Sequence, residues 1–446
     1  MGCATHPLMS QQTASSARRW GRIAGWVILA LGLTLHLVQL TGPTWDKVRG
    51  VKHARDYASY YYALQAAHQD IDPYDTPALS KLARAEKTRR SVHPFFYPPP
   101  FLLTVAWALP MSLLDAYEAW FWLDSLFLLA ALLALWRMAP GPATAAAMGV
   151  ILATYTPIHD NHWMGQANLP VLAAMLWGLY FAERESTGWR VTGGALMGLA
   201  CMMKMSPGLL VAWWLYRRKW TAAGAACVTA VLLSLAALPL VNLDLQLRFY
   251  QEVLPGFASG DYNGLTVPIL LKGNHSIPNL WAQLYDAGKT LPEPARIGAS
   301  LTNLALLGLL AWRLRRQTPD LLGAAAAAAS VSGLMLLVPV YTYEHHMVQL
   351  IFPLVIAAAA LASGRLQRGW AAVLAPSYVA LAWWWSAVAA AVTEIGGAGG
   401  WLLQEAKFFA LLTVCAACAV AATRSPVERP DTASGDAASG DAAAAL

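Results

Sequence analysis

The chain has 446 residues, 57% of them hydrophobic and only 13% charged, with a formal net charge of +6. A soluble domain carries about a quarter charged residues, so too little polar surface remains to cover a water-facing globule, and a bilayer is the fitting solvent. The basic residues stand in short clusters at the ends of apolar runs, without the single basic face, interleaved with aromatics, that nucleic acid would require.

Arg18, Arg19 and Arg22 precede the first apolar run, 23–42, which continues past Leu40 without a small-residue cleavage site and is expected to stay as a signal anchor. A span needs roughly 20 apolar residues. On that measure the candidates are 23–42, 98–114, 118–136, 143–158, 167–182, 191–216, 220–241, 297–312, 321–342, 346–363, 369–392 and 402–423. These twelve predict an all-α polytopic membrane protein. With the N-terminal segment 1–20 cytoplasmic, alternation puts Arg217, Arg218 and Lys219, then Arg313, Arg315 and Arg316, then Arg365 and Arg368, and finally Arg424 on the cytoplasmic side, as the positive-inside bias asks. The run 191–216 is interrupted by Lys204, Pro207 and Gly208. It reads either as one span or as two half-membrane helices, and the second reading changes the side assigned to 137–190. The tail 424–446 is low in large apolar residues and repeats ASGDAA, which predicts a disordered cytoplasmic segment, and the first twenty residues look similar.

Two polar segments, 43–97 and 242–296, are too long and too rich in Asp, Tyr and Asn to be linkers, and alternation assigns both to the outer side. Transporters keep such loops short and gather polar groups at the midplane; polar chemistry at one interface points instead to an enzyme. A polytopic transporter or flippase of lipid-linked sugars is the alternative. Four of the five cysteines lie in apolar runs, so structural thiols are expected; Cys415 and Cys418 form a CxxC without redox context.

The first outer segment opens with Arg55-Asp56-Tyr57-Ala58-Ser59-Tyr60-Tyr61-Tyr62, a spacing that suits a short interfacial helix with Asp56 and Tyr60 on one face. A carboxylate there can take the proton of an attacking hydroxyl while a phosphate leaves; as a helix cap or as an ion-pair partner of Arg55 it would be purely structural. Ile71-Asp72-Pro73-Tyr74-Asp75 has turn chemistry, and Tyr97-Pro98-Pro99-Pro100 reads as an interfacial helix start with Tyr97 placed to line a lipid groove. Gly165-Gln166-Ala167-Asn168 carries the strongly polar side chains ahead of the next run. Lys204 is a cation within an apolar run and needs a partner, either a lipid phosphate or Asp124 or Glu118. His345 and His346 follow Glu344, but adjacent residues on a helix diverge by about 100°, so the pair alone is a weak metal ligand set and phosphate or sugar contact is the better functional reading.

In this order and spacing, Asp56-Tyr57-Ala58-Ser59-Tyr60-Tyr61, Asp72-Pro73-Tyr74, Tyr97-Pro98-Pro99, Gly165-Gln166-Ala167-Asn168, Lys204-Met205-Ser206-Pro207, Gly273-Asn274-His275-Ser276 and His345-His346 resemble glycosyltransferase family 87, within the membrane-embedded GT-C superfamily. The likeness covers roughly 20–365. It implies a GT-C-like transmembrane domain over 21–423 and inverting transfer of a sugar, mannose in many members, from a polyprenyl-phosphate donor to a lipid or glycan acceptor, outside the inner membrane. Arabinose or another hexose is equally compatible with the residues. By the resemblance Asp56 is the general base; Lys204, His345 and His346, with Tyr60, Gln166 and Asn168, meet the donor; Asn274 and Ser276 belong to the acceptor loop. That loop reads Asn274-His275-Ser276 where the family more often has Asn-Gln-Ser. No cofactor beyond the lipid-linked sugar is implied.

Overall fold

The computed structural model of the protein describes residues 7–426 apart from 260, 263, 264, 267, 286, 289 and 384. The disorder expected of 427–446 lies outside the described residues. The chain is helical almost throughout, as the composition requires of a backbone that must satisfy its own hydrogen bonds in lipid. α1 (Pro7–Gln39) begins inside the segment expected to be irregular and ends in a π-helical turn, Leu40–Thr44, where Gly42 leaves helical geometry and Pro43 withholds an N–H; α2 (Trp45–Arg49) continues from it. The first polar segment folds into α3 (Tyr57–His68) and α4 (Thr76–Ala85). The span expected at 98–114 is corrected: it holds only α5 (Phe101–Val105) and a 3₁₀ turn, Ala106–Ala108. The prolines at 98–100 and Pro110 bracket this run and leave it too short to cross a bilayer.

Next come α6 (Leu113–Met138), α7 (Pro142–Thr154), α8 (Thr156–Met164), α9 (Asn168–Ala182), α10 (Thr187–Met203), α11 (Gly208–Tyr216) and α12 (Trp220–Ala236). The two readings of 191–216 resolve into two helices, because the backbone is extended at Lys204 (φ −154°, ψ 130°). The second polar segment holds α13 (Leu243–Arg248), a π-helical turn Phe249–Val253, α14 (Leu254–Ser259), a two-stranded antiparallel hairpin of β1 (Asp261–Tyr262) and β2 (Leu265–Thr266), and α15 (Ile277–Leu284). α16 (Glu293–Leu314), α17 (Leu321–Leu337), a 3₁₀ segment Glu344–Leu350 running into α18 (Ile351–Ala362), α19 (Gly369–Ala382), α20 (Trp385–Ile395), α21 (Gly397–Gln404) and α22 (Ala406–Ala421) complete the chain.

Among the described residues, four helical stretches are long and apolar enough to cross a membrane alone: Arg19–Arg49, Leu113–Met138, Glu293–Leu314 and Glu344–Ala362. A fifth results if α21 and α22, bent by 52°, count as one span. The count of twelve is therefore not reached by length and composition, because several expected spans are short helices joined by breaks.

Small residues decide how the helices meet. α1 crosses α7 with Gly32 against Gly149, so close that a Cβ on Gly32 would lie 2.1 Å from the Gly149 carbonyl oxygen. Gly194 and Gly198 of α10, four apart, press on Ala222 and Ala226 of α12 in the same way, and Gly193 presses on Gly178 of α9. Apolar helices gain no hydrophobic energy by leaving apolar lipid, so dispersion at close backbone approach has to hold them together. α17, an alanine-rich helix, is buried on all sides at the centre. At one end of the molecule Arg365, expected merely as a charge marker, is 2% exposed and forks to Asp320 Oδ1 (2.6 Å), Thr318 Oγ1 (2.9 Å) and the Arg424 carbonyl (2.7 Å).

Gly198→Leu is expected to cost about 1–3 kcal/mol through overpacking at the α10–α12 contact. Gly224→Leu on α12, where an added Cβ meets nothing within 4 Å, is expected to be near neutral. Thermal unfolding of the two variants in detergent measures the difference.

Candidate active site

Residues 53–56 enter α3 under strain. Ala54 (φ 48°) and Arg55 (φ 45°) both occupy the left-handed region although neither is glycine. The Arg55 guanidinium lies 3.8 Å from the Trp163 ring, and its carbonyl accepts from Arg89 Nη1. The Asp56 N–H donates to the Met164 carbonyl (3.1 Å), pinning the start of α3 to the end of α8. Asp56 stands at the N-cap position, yet its side chain makes no cap hydrogen bond. The cap and the Arg55 ion pair are both set aside. Its carboxylate turns to Gln166, whose Nε2 donates to Oδ2 at 2.7 Å, with His93 Nε2 3.8 Å from Oδ1.

Gln166 has little freedom. Its Oε1 accepts from Tyr60 (3.1 Å) and Tyr97 (3.0 Å), whose hydroxyls are 2.6 Å apart. Burial, then Tyr97 and the Asp56 charge, pushes the Tyr60 hydroxyl well above its ordinary range. Burial raises that of Tyr97 too. Both phenols stay protonated and can donate or accept, whereas the Asp56 carboxylate only accepts, so the amide nitrogen faces Asp56 and the amide oxygen faces the phenols. Gly165, in the left-handed region (φ 67°), makes the corner: a Cβ there would meet Tyr57 at 2.7 Å and Tyr117 at 2.9 Å.

Opposite lies a second polar chain. Lys204 Nζ donates to Asn168 Oδ1 (2.6 Å), Asn168 Nδ2 to Asn161 Oδ1 (3.0 Å) and to the His345 carbonyl (3.0 Å), and Asn161 Nδ2 to Asp124 Oδ2 (2.6 Å). The partner sought for Lys204 within the protein is thus Asn168 directly and Asp124 two amides away. Glu118 lies elsewhere, 3.7 Å from Arg49.

These two walls face one cavity of ≈ 740 Å³. Asp56, Tyr60, Tyr97, Gln166, Lys204, His345 and His346 line it, as do Asp160, His93 and Glu344. Its apolar side is Phe249, Val253, Leu254 and Phe257 of the second polar segment with Met335 and Leu336 of α17. Asp72 closes its turn by accepting from the Tyr74 N–H (2.8 Å), and its other carboxylate oxygen pairs with Arg248, tying the two polar segments together. Glu344 is backed by Lys407 at 2.6 Å, and His345 Nδ1 lies 3.7 Å from Asp160 Oδ2. His346 Nδ1 accepts from the Tyr343 N–H (3.1 Å).

Asn168 is fully buried behind the wall, holding Lys204. Asn274 and Ser276 are also fully buried and do not line the cavity. Asn274 donates to the carbonyls of Ile269 (3.1 Å) and Val340 (2.9 Å) and accepts from the Thr342 N–H (2.9 Å); Ser276 donates to Val340 (2.9 Å) and caps α15. They clamp the second polar segment to the chain leading into His345. Asp160 and His93 are additions to the expected set. The run His159-Asp160-Asn161-His162, directly before Gly165-Gln166, is the signal that points to Asp160, whereas His93 stands in no pattern.

Residues 95–339, more than half of the 446, match the model of glycosyltransferase family 87, and the chain belongs to that family. It is 30% identical over 291 residues to a polyprenol-phosphate-mannose-dependent alpha-(1-2)-phosphatidylinositol pentamannoside mannosyltransferase of Mycolicibacterium smegmatis. That alignment spans 63% of this chain and 65% of the relative's length. Among solved structures, ArnT from Cupriavidus metallidurans in the apo state aligns over 87% of this chain and 76% of its own, at 16% identity and a TM-score of 0.38.

His275 gives the clamp a pH dependence. Burial, reinforced by the Lys407 charge, pushes its imidazole from 6.5 down to about 3. The folded protein keeps it neutral while an unfolded chain protonates it, so its contribution is intact above pH 6.5 and is lost progressively as pH falls toward 3. Chemical denaturation between pH 7 and 5 is expected to show a shallower acid slope in His275→Gln than in wild type. An identical slope would place the effect elsewhere.

Proposed function

We propose that this family 87 member transfers a sugar, mannose by the likeness to its curated relative, from a polyprenyl-phosphate donor to a hydroxyl of a lipid or glycan acceptor, inverting the anomeric carbon, at the extracytoplasmic face of the inner membrane. The observation that carries the reading is one cavity with a carboxylate on one wall, a lysine and two histidines on the other, and an apolar flank between helices. A lipid phosphate needs both the cation and the apolar flank, and an attacking alcohol needs the base.

In this mechanism the polyprenyl tail lies along Phe249, Val253, Leu254, Phe257 and Leu336, and the phosphate meets Lys204 with His345 and His346 beside it. The Asp56 carboxylate takes the proton of the acceptor hydroxyl as its oxygen attacks the anomeric carbon. The bond from that carbon to the phosphate oxygen breaks, and polyprenyl phosphate leaves with the electron pair. The leaving group is already anionic, so electrostatic stabilisation by Lys204 replaces acid catalysis. Gln166 keeps one carboxylate oxygen occupied and leaves the other for the proton. No metal is needed in this scheme, since the cation that faces the phosphate is a side chain.

Purified protein supplied with polyprenyl-phosphate-mannose and a glycolipid acceptor is expected to release polyprenyl phosphate and extend the acceptor. Asp56→Asn and Asp56→Ala are expected to lower kcat by about 10²-fold or more. Lys204→Met is expected to lose about 10–10³-fold, chiefly in kcat, as the charge acts on the departing phosphate. Turnover retained in both Asp56 variants would remove the base; absence of any transfer from this donor with a panel of acceptors would remove the substrate class.

A further inference from the structure

A second cavity, of ≈ 360 Å³, lies at the opposite end of α10 from Lys204, between the α9–α10 turn and the start of α12. α10 has 17 residues, so the two sites are about 25 Å apart along its axis. Arg184, Arg190, Arg218 and Lys219 line this cleft against a single carboxylate, Glu183. Lys219 is paired with Glu183. The three arginines have no carboxylate partner among the described residues, and all three are exposed. Arg190 is held at the rim by its Nε donating to the Arg184 carbonyl at 2.9 Å. The floor is the first turn of α12, Trp220, Thr221 and Ala222, whose N–H groups precede any helical acceptor, and Lys219 at the cap position supplies no side-chain hydrogen bond to them.

The surroundings identify what kind of anion fits. Trp220 is 63% exposed beside the cleft, and Trp189 stacks on Phe181 at 4.6 Å, an aromatic pair of the sort that marks a membrane–water interface. Away from the cleft, α12 turns Val228, Val231, Leu232 and Leu235 outward, each more than half exposed, at spacings of three, four and seven residues. A guanidinium-lined cleft therefore opens directly onto an outward apolar row on the same helix. A soluble phosphate would have use for the first but not for the second.

We infer that this cleft seats the phosphate of an anionic phospholipid from the leaflet on its own side of the membrane, with the acyl chains along the outward row of α12. The arginines provide forked donors for the phosphate oxygens, and the α12 amide groups add a third direction of approach. Because α10 is one rigid helix running from this cleft to Lys204, and α12 is locked to it through Gly194 and Gly198, an occupied cleft steadies the helix pair that positions the cavity's cation. The inference does not depend on the proposed reaction.

The test is lipid competition on the full chain. Protein in a neutral detergent is incubated with equimolar dioleoyl-phosphatidylglycerol and dioleoyl-phosphatidylcholine, and retained lipid is read by native mass spectrometry. The anionic lipid is expected to exceed the neutral one about fivefold or more. In R184Q/R190Q/R218Q the ratio is expected to fall to about one, with helix content and thermal unfolding in neutral lipid unchanged. Excess sodium phosphate, matched in ionic strength with sodium chloride, is expected to leave the retained lipid as it was. Equal retention by wild type overturns the inference whatever the variant does, as does a preference that survives in a folded triple variant. Displacement by free phosphate but not by chloride would overturn the lipid assignment in favour of a soluble anion.

Discussion

Everything at the cavity rests on how one amide is held. Gln166 is caught between two phenols, which can donate or accept, and a carboxylate that can only accept, so the carboxylate decides which end of the amide carries the N–H groups. The consequence reaches beyond Asp56. Tyr60 comes from α3, Tyr97 from the proline-rich start of the next run, and Gln166 from the corner between α8 and α9, so a single three-way junction joins the first polar segment to the membrane helices. The left-handed backbone at Ala54 and Arg55 is affordable because this junction, the Trp163 contact and the Asp56–Met164 hydrogen bond over-determine the turn.

The opposing wall follows a different rule. Lys204 interrupts what composition presents as one long span, and the interruption places its ammonium on Asn168 at the mouth of α9. Two amides then carry the connection to Asp124, so the cation is steadied without a direct carboxylate contact that would neutralise it. Gly178, Gly193, Gly194 and Gly198 hold α10, which ends at this break, close to both α9 and α12. Packing by small residues is the link between the membrane fold and the chemistry of the cavity.

Much of this was legible in the residues. Apolar run length and basic flanks predict the all-α membrane class, whereas only the family resemblance, and no spacing, groups Asp56, Gln166 and Lys204 at one site; in the structure all three line one cavity. What periodicity could not show was continuity: Pro98–Pro100 with Pro110, and Lys204 with Pro207, break runs whose average hydropathy remains high. Nor does spacing reveal whether a polar side chain faces a cavity or a carbonyl. Asn274 and Ser276 belong to a motif expected at the acceptor, and the fold spends both on backbone groups of Ile269 and Val340. Asp160 is the converse case: its polar run is visible in the sequence, and the fold shows that it lines the cavity.

The central claim is that Gln166 aims Asp56 at the acceptor hydroxyl, and Gln166→Leu tests it most directly, being apolar and unable to donate or accept. Steady-state transfer from polyprenyl-phosphate-mannose is predicted to show kcat reduced by about 10–100-fold, the scale of leaving a buried polar network unmade, with KM for the donor nearly unchanged. A folded Gln166→Leu enzyme that turns over at the wild-type rate would contradict the account.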